Sequence, residues 1–309
     1  MANGTFTANN YAGKAALPYV APAILAADTI ANGYVTVLDN VRYKANLRKF
    51  SGSEIAAATC TFTSGTALDL SDVQLTLTEL QINDQICNKD LRTTWESEQM
   101  AGASSIAPGS YKDGAAMYVA KRAAEAIELN IWQGNYNPDA GVSTGATYTA
   151  FNGLLRQMVL ATPTYEANLT AALSAANILS KLESLVTTNC PPALKGDPDA
   201  VIYMSRASKS FYYSALAATY NLPYLAEGTA SMYQGYKVVT PAGFPNDTLL
   251  ISRAENLYVG TNLLTDLVEA RVLDLIETTG DDVTRIIMKF AFGTQVVDHG
   301  SYGLLRRTT

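Results

Sequence analysis

SYKDGAAMYVAKRAAEAIELNIWQGNYN, Ser110 to Asn137, is the stretch that decides the fold. Ala116, Ala120, Ala123, Ile127 and Ile131 recur at helical spacing and form one narrow apolar stripe. Lys121, Glu125 and Glu128 fall on another face, with Lys121 and Glu125 four apart as neighbours. Ser110 or Asp113 suits the N-cap, and Gly134 suits the left-handed position after the last turn. The pattern predicts a helix over residues 113–133, a rod of about 30 Å at about 1.5 Å per residue. Small side chains along its inner stripe let a sheet lie close against it.

Working outward, composition narrows what such a helix can serve. A chain of 309 residues with 48% hydrophobic and 16% charged residues buries a sizeable core in one large domain or two. The 28 acidic residues exceed the 22 basic ones, giving a net charge of −6. That balance offers no footprint for gripping nucleic acid, although surrounding DNA without holding it is compatible. Cys60, Cys87 and Cys190 are odd in number and far apart, which argues against a disulfide framework or a zinc site and fits synthesis in a reducing compartment. No apolar run approaches the ~18 residues of a membrane span. AALPYVAPAILAAD, from Ala15, is faintly like a signal-peptide core, but Pro18 and Pro22 interrupt it and only Lys14 flanks it.

Chemistry-bearing patterns are missing. His299 is the single histidine, and acid–base and metal chemistry lean on histidine. Ser301 is near it in HGSYG, but the pair is not read as a dyad. There is no nucleophile elbow, phosphate-binding loop or dinucleotide-binding turn. Asp197 and Asp199 in GDPD read as a surface turn before a strand. The expectation is a protein that is not an enzyme, with no catalytic residue, cofactor or metal.

Residues 1–34 are polar, then Ala/Pro-rich, and read as an extended arm. YVTVLDNVRYKANLRKF and VQLTLTELQI alternate as strands around a small, Thr/Ala-rich segment, which implies a long hairpin. A two-stranded ribbon is marginal alone, so it needs a support, for which another copy of the chain is the candidate. Arg42, Lys44, Arg48 and Lys49 crowd its root. NLTAALSAANILSKLESLVTTN reads as a second amphipathic helix burying Leu173, Leu179, Leu182 and Val186. DAVIYMS reads as a buried strand, with Ser205 capping the helix RASKSFYYSALAATY. GYKVVTPAGF, DTLLIS and the segments flanking TTGDD are further strands. Strands and helices are segregated, which makes the class α+β. Tyrosine outnumbers phenylalanine 18 to 8, a composition suited to contact surfaces.

The order of these elements resembles the tailed-phage major capsid protein family, with its Hong Kong ninety-seven shell fold. NIWQGNYN (130–137) is similar to the end of that family's spine helix, and FNGLL (Phe151 to Leu155) to the lead-in to its axial domain. DAVIYMSRASKSFYYSAL, YQGYKVV and VTRIIMKFAFGTQVVDHGSY are similar to later elements of the family. The resemblance implies an N-terminal arm (1–34), an extended loop or β-hairpin (35–80), a peripheral domain (81–150 and 266–309) with spine helix 113–133, and an axial domain (151–265). It also implies a shell of hexamers and pentamers that encloses double-stranded DNA without sequence-specific binding, located in the virion after assembly in the host cytoplasm, with no membrane. A portal, decoration proteins and either a separate scaffolding protein or none complete what the resemblance leads one to expect. An encapsulin, a compartment of the same fold holding an enzyme, is the alternative. In either shell Arg42, Lys44, Arg48 and Lys49 would meet a neighbouring subunit, with Glu125 and Glu128 as counter-charges. Lys44 and Lys49 could serve cross-linking, but no partner position matches, so that activity is not carried over.

Overall fold

A computed structural model describes residues 9–12, 27–51, 69–87, 108–137, 146–220, 231–262, 269–275 and 279–307. The chain runs β1 (Asn9–Ala12), α1 (Asp28–Ala31), β2 (Thr36–Leu38), β3 (Lys44–Ser51), β4 (Asp69–Thr76), β5 (Thr78–Cys87) and α2 (Pro108–Gln133). It continues through α3 (Leu154–Leu160), β6 (Glu166–Asn168), α4 (Ile178–Thr187), β7 (Ala200–Met204), α5 (Arg206–Tyr220), β8 (Met232–Tyr233) and β9 (Tyr236–Val239). It ends with β10 (Thr248–Arg253), β11 (Leu257–Thr261), β12 (Glu269–Asp274), β13 (Val283–Val296) and β14 (Tyr302–Arg306).

The first sheet is organised by β13. Along one edge β13 pairs β12 and then β11, and along the other it pairs β5 from Phe292 back to Val283. Its residues alternate as a half-buried strand must: Ile286, Met288, Phe290 and Phe292 enter the core while Arg285 and Lys289 face out. The buried face meets α2, whose Ala120, Ala123, Ile127 and Ile131 form the predicted stripe. Ala116 is helical, as expected.

The second sheet, in the order β6-β14-β10-β7-β9-β8, is covered on both faces. Tyr203, Val239, Leu250, Tyr302 and Leu304 join the core around α2, whereas Ile202, Met204, Val238, Leu249, Ile251 and Leu305 pack with α4 and α5. Burial on both sides explains why VIYM and TLLIS read as continuous apolar runs. Ser205 caps α5 as predicted, its Oγ accepting from the Ser208 N–H at 3.1 Å.

Several expectations shift. The long helix begins at Pro108, where a proline in the first turn forgoes no helical hydrogen bond, so its 26 residues reach about 39 Å. Asn135, at φ 51°, takes the left-handed position expected of Gly134. Gly134 is needed for close approach instead: a Cβ there would stand 2.3 Å from Phe151 O and 2.8 Å from Gly153 N. Gly153 N–H donates to Gly134 O at 2.8 Å, so NIWQG and FNGLL form one junction. The second helix starts only at Ile178; Leu173 is buried ahead of it, Leu179 is half-buried, and Leu182 and Val186 are buried within it.

The arm expectation also needs correction, because part of the stretch 27–34 enters the core while Ala31, Asn32 and Gly33 stay exposed. Ala27, Thr29 and Ile30 are buried against α2 and the first sheet. Sheet membership likewise departs from the expected ranges. β11, inside 151–265, belongs to the first sheet, and β14, inside 266–309, belongs to the second. The expected hairpin tip, together with Cys60, lies outside the described residues.

Candidate functional site

The ribbon of β3 and β4 shares no ladder with either large sheet. Its register sets Lys44 opposite Thr76, Arg48 opposite Asp72 and Lys49 opposite Ser71. Consecutive strand residues alternate faces, so Arg48 and Lys49 point apart. The four basic residues expected to act together therefore divide. Arg48 Nε lies 3.9 Å from Asp72 Oδ1 across the ribbon, an exposed pair that contributes little. Lys49 Nζ donates to Asp298 Oδ1 at 2.5 Å, tying the ribbon to the body of its own chain. Arg42 and Lys44 are exposed at the root.

Asp298 is a hub for this tie. It also accepts from Ser301 Oγ and the Gly300 N–H, while Asn256 grips its backbone N–H and C=O. Burial pushes its carboxyl upward, but the hydrogen bonds from Lys49, Ser301 and Gly300 outweigh that and hold it below the usual range. His299 beside it is held down, by burial first, against the opposing pull of Asp298. Its ring meets Tyr302 edge-on at 6.2 Å, and Ser301 is committed to Asp298, so no His–Ser dyad forms.

The two glutamates on α2 also part company. Glu125 is exposed. Glu128 is 4% exposed and engaged inside its own chain, which removes it from that role. Its carboxylate accepts from Thr29 N at 2.9 Å, Thr29 Oγ1 at 2.5 Å and Gly243 N at 3.2 Å. Trp132 Nε1 donates to the same Thr29 hydroxyl at 2.7 Å, and its ring packs on Tyr203 and Phe244. One buried carboxylate thus joins α1, α2 and the loop after β9. The signal lay in the spacing: Glu128 is four residues after Ala124 and one after Ile127, inside the stripe rather than beside it.

The remaining polar candidates are structural. Asp197 accepts from the Asp199 N–H and pairs with Arg253 Nε; the first of these bonds does most to lower its carboxyl. The motif is the predicted turn before β7. Among the described residues no group of three or more His, Cys, Asp or Glu side chains is placed to hold a metal ion. No helix there is long and apolar enough to cross a membrane.

This arrangement, a long helix under a strand-rich tile with a ribbon leaving one side, has close counterparts among solved structures. A chain of the satellite phage P4 procapsid, in a structure including the size determination (Sid) protein, superposes with a TM-score of 0.64 at 13% identity, covering 100% of this chain and 93% of that one. A chain from Microbacterium phage Oxtober96 gives a TM-score of 0.54 at 11% identity, covering 99% of this chain and 96% of that one. One from Gordonia phage Cozz gives 0.52 at 11% identity, over 91% and 87%. The fold is the phage capsid shell fold of the Hong Kong ninety-seven type. No protein-family model matches the sequence, and no curated protein does either.

Proposed function

We propose that this chain is the major capsid protein of a tailed bacteriophage, a subunit that assembles with copies of itself into an icosahedral shell around double-stranded DNA. The observation that carries this reading is the superposition on the P4 procapsid chain across the full length of the fold. The ribbon adds physical support. Among the described residues the ribbon has two strands and no third, with exposed Tyr43 just before β3 and exposed Leu70 on β4; it needs a surface to lie on, and a second copy supplies one. Arg42 and Lys44 at its root and Glu125 on the neighbour's helix are the charges available to steer that contact.

Binding spread over many modest contacts suits a closed shell: each interface is weak, and closure makes the whole stable. No chemistry on this chain is required. A net charge of −6 fits a wall that encloses DNA without gripping it. Scaffolding, portal and decoration proteins, virion location and assembly in the host cytoplasm belong to the same reading. The encapsulin alternative gains no support from these superpositions, which are with phage particles.

Electron microscopy of the purified chain, beside its sedimentation profile, tests the proposal. Closed shells or capsomer-sized rings are expected. A chain that stays monomeric even with a scaffolding protein refutes it. Particles that carry protein cargo and no nucleic-acid absorbance would transfer the reading to the encapsulin.

A further inference from the structure

β11 and β13 set Gly260 directly opposite Gly293 within the first sheet. The root of the ribbon lies in the notch they leave. A Cβ on Gly293 would stand 2.4 Å from Thr76 O and 3.3 Å from Leu77 Cα. A Cβ on Gly260 would stand 2.5 Å from Leu75 Cδ2 and 3.0 Å from Leu77 Cδ2. Neither glycine has a positive φ, so the missing side chain is what these positions require.

The notch sits where the ribbon joins the tile. Leu77 is the single residue between β4 and β5, and its N–H donates to Tyr43 O at 3.1 Å. On the other strand the passage runs through residues 39–43, with Asn40 at φ 65° and the Val41 N–H on Thr261 O at 3.1 Å. Farther along, Lys49 on Asp298 provides a second fixed point. Lys49 is five residue steps beyond Lys44, which at about 3.4 Å each puts the two points about 17 Å apart. Beside the root opens a cleft of about 550 Å³ between Gln74 and Thr76 on one side and Gln157, Leu160 and His299 on the other. The ribbon therefore has space to tilt when the notch is filled.

We infer that the Gly260–Gly293 notch and the Lys49–Asp298 pair form a two-point mount that sets the angle at which the hairpin leaves the tile, and through it the curvature of the shell. This rests on the reading of the chain as a shell subunit. Filling Gly293 must lift Thr76 by about 1 Å to reach ordinary contact, and over a lever of about 17 Å that tilts the ribbon by about 3°. Every contact between copies repeats the error.

The test compares wild type with Gly293→Ala, Gly260→Ala, Gly260→Ala combined with Leu75→Val, and Lys49→Met. Particle diameter is read by electron microscopy, and folding by thermal melting of the unassembled chain. Gly293→Ala and Lys49→Met are expected to give broadened or shifted diameters, or open sheets. Leu75→Val is expected to restore wild-type diameters to Gly260→Ala, because that clash ends on a side chain. The same change leaves Gly293→Ala uncorrected, because its clash ends on backbone. Wild-type diameter distributions from both Gly293→Ala and Lys49→Met overturn the inference. Should Gly293→Ala fail to fold, Lys49→Met and the Gly260/Leu75 pair decide it. A wild-type chain that assembles nothing, with or without a scaffolding protein, refutes the shell reading and not the mount.

Discussion

Replacing Glu128 by glutamine separates a core role from an interface role with the smallest possible change of shape. In the wild type one carboxylate oxygen accepts from Thr29 Oγ1 and Gly243 N, and the other accepts from Thr29 N. The Thr29 hydroxyl donates to the first of these oxygens and accepts from Trp132 Nε1. A glutamine can keep its carbonyl on the first two donors, but its NH2 then faces the Thr29 N–H. The Thr29 N–H loses its acceptor and the new NH2 finds none there, at about 1–3 kcal/mol, and two charge-assisted bonds become neutral ones. The expected loss for Glu128→Gln is about 2–4 kcal/mol. Glu128→Ala strands all three donors; water entering the vacated space keeps the loss below the simple sum, at about 3–5 kcal/mol. Against a total stability of about 5–15 kcal/mol, the alanine variant gives up roughly a fifth or more of it.

Urea unfolding of the unassembled chain, followed by tryptophan fluorescence, reads this directly, since Trp132 is hydrogen-bonded to the site. A loss of about 2–4 kcal/mol lowers the midpoint by about 1 M. Glu125→Gln, on the exposed face of the same helix, is the control and should shift stability by less than about 0.5 kcal/mol. An unchanged midpoint for Glu128→Gln together with lost assembly would refute the argument and return Glu128 to the interface.

Other perturbations follow from the same geometry. Gly134→Ala drives a Cβ into Phe151 O, Asn130 O and Gly153 N, all backbone, so unfolding experiments should show a loss of at least about 1–3 kcal/mol. Leu182→Ala, fully buried between α4 and the second sheet, should lower stability by about 2–5 kcal/mol in the same assay. Arg42→Glu with Lys44→Glu should leave the melting temperature of the monomer unchanged while reducing particle yield on a sucrose gradient. Stability should fall on acidification in two stages. His299 is held below its unfolded value, so the unfolded chain takes up the proton first and stability declines as pH drops below about 6.5. Asp298 is also held down; its contribution is complete above about pH 3.9 and is lost as pH falls through its lower folded value. Urea midpoints across pH should lose the upper stage in His299→Gln, and Asp298→Asn should shrink the lower stage to the part that Asp197, also held down, still supplies.

The sequence displayed elements whose stabilisation is local and hid those whose partners are distant. β13 could be read because inward and outward residues alternate along it, and α2 because its stripe repeats at helical spacing. The start of α2 was misplaced because Ser110 and Asp113 looked like caps, when a proline in the first turn serves as well. The strand exchange between the sheets left no trace, since β11 and β14 are ordinary apolar strands whose partners, β13 and β10, lie far along the chain. Charge was the least reliable guide. Arg48 and Lys49 are adjacent in sequence, yet strand alternation sends one across the ribbon and the other to Asp298, nearly the whole chain away. Glu125 and Glu128 are neighbours on one helix, but only Glu128 falls within the apolar stripe, and burial turns it from a surface charge into an internal clamp. An acidic residue at stripe spacing, close to a tryptophan at the helix end, is therefore better read as the acceptor of a buried network than as a counter-charge. That reassignment leaves the exposed Arg42, Lys44 and Glu125 to the proposed contact between copies.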